Sequence, residues 1–188
     1  KQFDKSVFDI SYKQIFTPQA LASNSGTYRV LPFEFESPNH GPFKLLTNVE
    51  NSTASPFGWH DTNGVFGPEY TITRGNNVWA KEDYFGTNDP SGLSPDGGQN
   101  LIFDFPYGGI SVPAPTYIDA ATTNLFYMNN IMHDVWYQYG FDEVNGNFQA
   151  NNYSKGGKAS DSVIAEAQDS SQANEIKLNN ANFSTPTD

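Results

Sequence analysis

Three histidines, His40, His60 and His133, are the residues of this 188-residue chain best suited to proton transfer or zinc binding near neutral pH, because the chain contains no cysteine. No two of them fall three or four residues apart, and the HExxH pairing is absent. His133 is followed by Asp134, an adjacent pair that binds metals in some hydrolases. Its helical neighbours, Asn129, Asn130 and Tyr137, add no second carboxylate or imidazole. The pattern therefore favours a hydrogen-bonded structural histidine over a ligand. His60 lies in "SPFGWHDTNG", residues 55–64, where a buried Trp59 beside a satisfied turn is favoured over a reactive site. The turns "DTNG" and "DEVNGNF" carry the oxygen donors calcium takes, but neither has the twelve-residue spacing or closing Glu of an EF-hand, so both read as plain turns. A GxSxG nucleophile turn and a Gly-rich loop ending in Lys-Ser/Thr are also missing.

The elements that must position these residues are short strands and one helix. Residues 1–27 end in a Ser/Asn/Gly cluster and read as a linker. From Tyr28 onward, "YRVLPFEFESP", "FKLLTNVEN", "EYTITRGNNVWAKEDYF", "LIFDF" and "SVIAEAQD" are half-alternating apolar runs bounded by Pro, Gly and Asn, which predicts short strands. "NNANF" predicts a last strand. Between them the period changes. Ile118, Ala121, Leu125, Met128, Met132, Val135 and Tyr139 step by three and four, predicting an amphipathic helix over 116–139 with that row in the core, widened by Ile131 and Trp136. Thr116 is its expected N-cap, Asp119 suits the first turn, and Gly140 is placed to end it.

Charge narrows the partners. Twenty-one acidic residues against 10 basic give a net charge of −11, which repels phosphate backbones and anionic membranes and leaves carboxylates for hard cations such as calcium. Nucleic acid and membrane are excluded as partners on this reading. No 18-residue apolar window occurs, and the supply of Asn, Gly, Ser, Thr and aromatic residues with little Lys suits an extracellular protein.

The blocks "ESPNHGPFKLL", "ASPFGWHDTNG", "YTITRGNNVWAKED", "NLFYMNNIMHDVWYQYGFDEVNGNFQANNYSKGG", "VIAEAQD" and "NNANFSTPTD" together resemble, in order and spacing, the fungalysin family of secreted zinc metalloendopeptidases. The resemblance implies an α+β fold, the mainly β N-terminal lobe of a thermolysin-like metallopeptidase, over residues 28–188, with 1–27 a linker or propeptide junction. It implies that Asn180, Ala181 and Asn182 belong to an edge strand that binds peptide substrate. It also implies zinc as cofactor, with HExxH and the remaining ligand expected beyond Asp188, and calcium as a candidate second cation. The implied partners are a peptide or protein substrate and the C-terminal half of the catalytic domain. The chain alone is expected to be inactive. A non-catalytic extracellular binding or structural module is the alternative.

Overall fold

The computed structural model describes residues 25–88, 90–172, 181 and 183–184. Among the described residues, five short strands and one long helix carry the fold, a mixed α+β arrangement in which turns and loops fill most of the length between elements. Strand β1 (Thr27–Val30) pairs antiparallel with β2 (Lys44–Thr47) and parallel with β4 (Ile102–Phe103). Strand β3 (Val78–Glu82) pairs parallel with β5 (Val163–Ala167), in register from Val78 opposite Val163 to Glu82 opposite Ala167. Alternation explains β1: Tyr28 and Val30 point into the core, while Arg29 faces outward and pairs with Asp104. Lys81 breaks the rule on β3. It is buried, and its ammonium meets the Glu166 carboxylate on the neighbouring strand at 2.6 Å, the partner such a buried charge requires.

The helix, α1 (Ile118–Gln138), packs across β1, β3 and β5. It starts two residues later than the sequence suggests. A 3-10 turn over Ala114–Tyr117 precedes it, and the Thr116 hydroxyl donates back to the Pro113 carbonyl at 2.7 Å instead of capping α1. Its other end follows expectation. Gly140 adopts φ 93° and its N–H donates to Tyr137 O, while Phe141 N–H reaches back to Trp136 O, the paired bonds of a Schellman motif.

The buried face of α1 is not the expected one. Ala120, Thr122, Thr123, Phe126, Tyr127, Asn130, Ile131 and Asp134 are the buried residues. Of the expected row, Ile118, Ala121, Leu125, Met128, Met132 and Val135 are only half-buried, and Tyr139 and Trp136 are exposed. The reason is that the inward face spends four positions on polar side chains, Thr122, Thr123, Asn130 and Asp134, the last two with partners far away in the chain. The core that results joins Tyr28, Val30, Trp59, Val78, Ala80, Leu101, Phe103, Phe126, Tyr127, Ile131 and Ala165.

Candidate functional site

The polar residues buried under α1 gather at its C-terminal half around Asp134. One Asp134 oxygen accepts from the Asn51 N–H at 2.9 Å and from the Trp59 indole at 3.0 Å. The other accepts from the Ser55 hydroxyl at 2.7 Å and sits 3.0 Å from His133 Nδ1. Four donors on one buried carboxylate tie loop 51–59 to the helix. A carboxylate so fully engaged has no lone pair left for a substrate proton, so its role is to fix backbone. Asn77, just ahead of β3, extends the network by donating to Ser55 Oγ and Asn130 Oδ1, both at 3.1 Å.

His133 is held from both sides, donating from Nδ1 to Asp134 and accepting at Nε2 from the Asn147 amide at 3.4 Å, with Gln149 Oε1 3.2 Å away. Gln149 is fully buried and also donates to Asn151 O at 3.0 Å. The hydrogen-bonded structural reading of His133 therefore describes its surroundings. His60 is equally committed. Its Nδ1 faces the Arg74 carbonyl at 3.1 Å, so Nδ1 carries the proton and Nε2 accepts from the Tyr28 hydroxyl at 2.9 Å. The ring stacks on Phe103 and Phe126 with centroids 5.2 and 4.9 Å apart. Burial in that aromatic nest pushes its pKa down to about 4, keeping it neutral.

Local sequence builds this nest. Arg74 lies between the Tyr70 and Trp79 rings, 4.4 Å from each centroid, which fixes the carbonyl that His60 uses. Gly75 follows because a Cβ there would collide with the Trp59 carbonyl, and Asn76 N–H bonds that same oxygen at 3.2 Å. The two acidic turns behave as turns. Asp61 accepts from Gly64 N–H at 2.9 Å and from the Tyr153 hydroxyl at 2.9 Å. Asp142 caps the 3-10 turn over Glu143–Asn145.

Glu50 is one of the buried charged residues that the sequence did not single out. It is 5% exposed, and burial, reinforced by Asp134, pushes its carboxyl up to about 6. It receives the Ser25 hydroxyl and, at 3.3 Å, the Gly26 N–H. Nothing in "TNVENST" marks it, because its contacts lie 24 and 25 positions earlier in the chain.

Zinc finds no seat among these groups. His40 is on the surface beside Ser37, His60 is enclosed by aromatic rings, and both nitrogens of His133 are engaged. Among the described residues no cluster of three His, Cys, Asp or Glu side chains could hold a metal ion. The residues present do not fit the group, and no chemical step can be routed through it here. Of the expected substrate-binding residues, Ala181 is exposed, while Asn180 and Asn182 lie outside the described residues.

The described part is thus an α+β scaffold whose buried polar residues position backbone. The Fungalysin metallopeptidase (M36) family model matches residues 27–188, and the chain belongs to that family. Extracellular metalloproteinase 5 of Trichophyton rubrum is 41% identical over 162 residues, covering 86% of this chain and 24% of that protein. Extracellular metalloproteinase 1 of Arthroderma gypseum is 42% identical over 162 residues with the same coverage. The chain therefore spans about a quarter of the length of the curated relatives it matches.

Proposed function

We propose that residues 28–188 are the N-terminal portion of the catalytic domain of a secreted zinc metalloendopeptidase, with 1–27 a linker or propeptide junction. The observation that carries this reading is the family match over 27–188, joined to relatives named as extracellular metalloproteinases. The zinc ligands and the general base come from the remaining sequence, since the histidines of this stretch are spent on structure. The C-terminal half of the catalytic domain is the partner this stretch needs in order to act as a peptidase.

What this stretch offers the substrate is an edge. Asn180, Ala181 and Asn182 pair with an extended peptide through backbone groups, and an asparagine amide supplies both a donor and an acceptor. Zinc in the complete enzyme would supply a Lewis acid, held by residues outside this stretch. The role of residues 180–182 is to hold the peptide in line beside it.

Asn180→Ala in the complete enzyme tests the assignment. The expected result is a fall of about tenfold in kcat/KM, the worth of one or two hydrogen bonds to the peptide, with zinc content unchanged. An unaltered kcat/KM on peptide substrates would remove residues 180–182 from the binding site.

A further inference from the structure

Among the described residues Arg74 is a cation without an anion. Arg29, Lys44, Lys81 and Lys155 each meet a carboxylate, those of Asp104, Glu34, Glu166 and Glu143. The Arg74 guanidinium meets none among the described residues and donates no hydrogen bond there, although the chain carries 21 acidic residues against 10 basic. It is nevertheless held in place. Arg74 and Trp79 face each other across the turn that Gly75 N–H and the Val78 carbonyl close at 3.0 Å. The Trp79 indole donates to Ser94 Oγ at 3.0 Å, which locks the ring, and the guanidinium lies 4.4 Å from its centroid and from that of Tyr70. Stacking occupies the faces of a guanidinium and leaves its edge of N–H donors open, a fork whose spacing matches a carboxylate. Beside it the surface is apolar. Ile164 stands opposite Trp79 in the ladder of β3 and β5, on the same side of the sheet, and is 61% exposed.

We propose that Arg74 binds a carboxylate of the peptide substrate, an Asp or Glu side chain, as a bidentate ion pair, with Trp79 and Ile164 offering apolar surface to the neighbouring part of the peptide. The proposal rests on the peptidase reading above. The guanidinium is already immobilised on two rings, so little side-chain freedom is lost when the pair forms. No acceptor among the described residues has to be displaced from it. The net charge of −11 repels anions at long range, so the attraction acts only at contact. Arg74 therefore selects an acidic side chain at one position along the peptide rather than acidic peptides in general.

The test uses the full-length enzyme and pairs of peptides that differ only by Glu or Gln at one position, stepped along both sides of the cut bond. At one position the wild type should show kcat/KM about tenfold higher for the Glu peptide than for the Gln peptide, the worth of one charge-assisted pair. The difference should lie in KM and shrink as salt is raised. In Arg74→Gln the ratio should fall to about one, and in Arg74→Lys, which keeps the charge but not the fork, it should lie between. The ratio compares two substrates of one protein, so a loss of stability in a variant cancels from it. A wild-type ratio near one at every position, or a preference that survives in Arg74→Gln, overturns the proposal. A ratio near one in both proteins with a Tm several degrees lower in Arg74→Gln would also overturn it, by assigning Arg74 to a carboxylate of its own chain. The peptidase reading fails separately. A protein that cleaves neither peptide, yet binds the Glu peptide about tenfold tighter in fluorescence anisotropy only while Arg74 is present, would keep this site and remove that reading; equal binding of the two peptides would overturn the site as well.

Discussion

His60→Phe is the substitution whose outcome the structure defines most sharply. Phenylalanine preserves the stack on Phe103 and Phe126 but leaves the Tyr28 hydroxyl without its acceptor and the Arg74 carbonyl without its donor. Two buried polar groups lose their partners, at about 1–3 kcal/mol each, so the variant should be about 2–6 kcal/mol less stable at pH 7. The pH dependence is the stricter check. The wild-type imidazole is held at about 4 against a usual 6.5, so between those values the unfolded chain binds the proton first. Stability from this group is fully present above pH 6.5 and drains away as pH falls towards 4. At about 1.4 kcal/mol per pH unit, the loss reaches about 2.5 kcal/mol by pH 4.5. Glu50 opposes it, because a raised carboxyl stabilises the fold increasingly as pH drops from about 6 to 4.5. Glu50 is present in both proteins, so it cancels from their difference. Urea denaturation of the complete enzyme and of His60→Phe at pH 7, 6, 5 and 4.5 should show the gap closing by about 2.5 kcal/mol. A gap that stays constant across that range refutes the neutral, doubly bonded His60.

Other substitutions probe the rest of the framework. Phe126→Ala removes a fully buried ring that touches Tyr28, Trp59, His60 and Phe103, and should cost about 3–5 kcal/mol in denaturant unfolding; a loss under 1 kcal/mol would mean that α1 presents another face. Asp134→Asn keeps the shape but replaces one acceptor oxygen with a donor facing other donors, and should cost about 3 kcal/mol and alter the near-ultraviolet dichroism of Trp59; an unchanged Tm would show that the four contacts are not made together.

The elements were legible where local chemistry alone decides them. Alternation located β1 and β3, the three-and-four step located α1, and Gly140 ended it as its freedom at positive φ allows. The inward face of α1 was not legible, because apolar periodicity counts Thr123, Asn130 and Asp134 as surface. The burial of Asn130 and Asp134 depends on Ser55, Trp59 and Asn77, which lie 53 to 79 positions away in the chain. His133 and His60 were legible as structural residues from their neighbours, though not the tautomer of His60, which a distant carbonyl sets. Glu50 was invisible for the same reason. A glutamate followed by "NST" has no local mark of burial, and only the pairing of β1 with β2 brings Ser25 and Gly26 onto it.

The two faces of α1 together say why a sequence pattern could be correct in period and misplaced in phase. A helix that packs on one sheet alone needs a single apolar stripe and can leave the opposite side polar. Here the side against the strands combines Phe126, Tyr127 and Ile131 with a satisfied polar network, while Leu125, Met128, Met132 and Val135 continue the apolar surface round the helix. Leaving such a row half in water forfeits about 25 cal/mol for each square ångström that a second layer would cover. The strongest periodic signal in the sequence therefore follows a half-buried row at the margin of the core, and the weaker, partly polar one follows the sheets. On that account Phe126, fully buried among the aromatic rings of the core, matters more for holding this fold together than the half-buried Leu125 beside it.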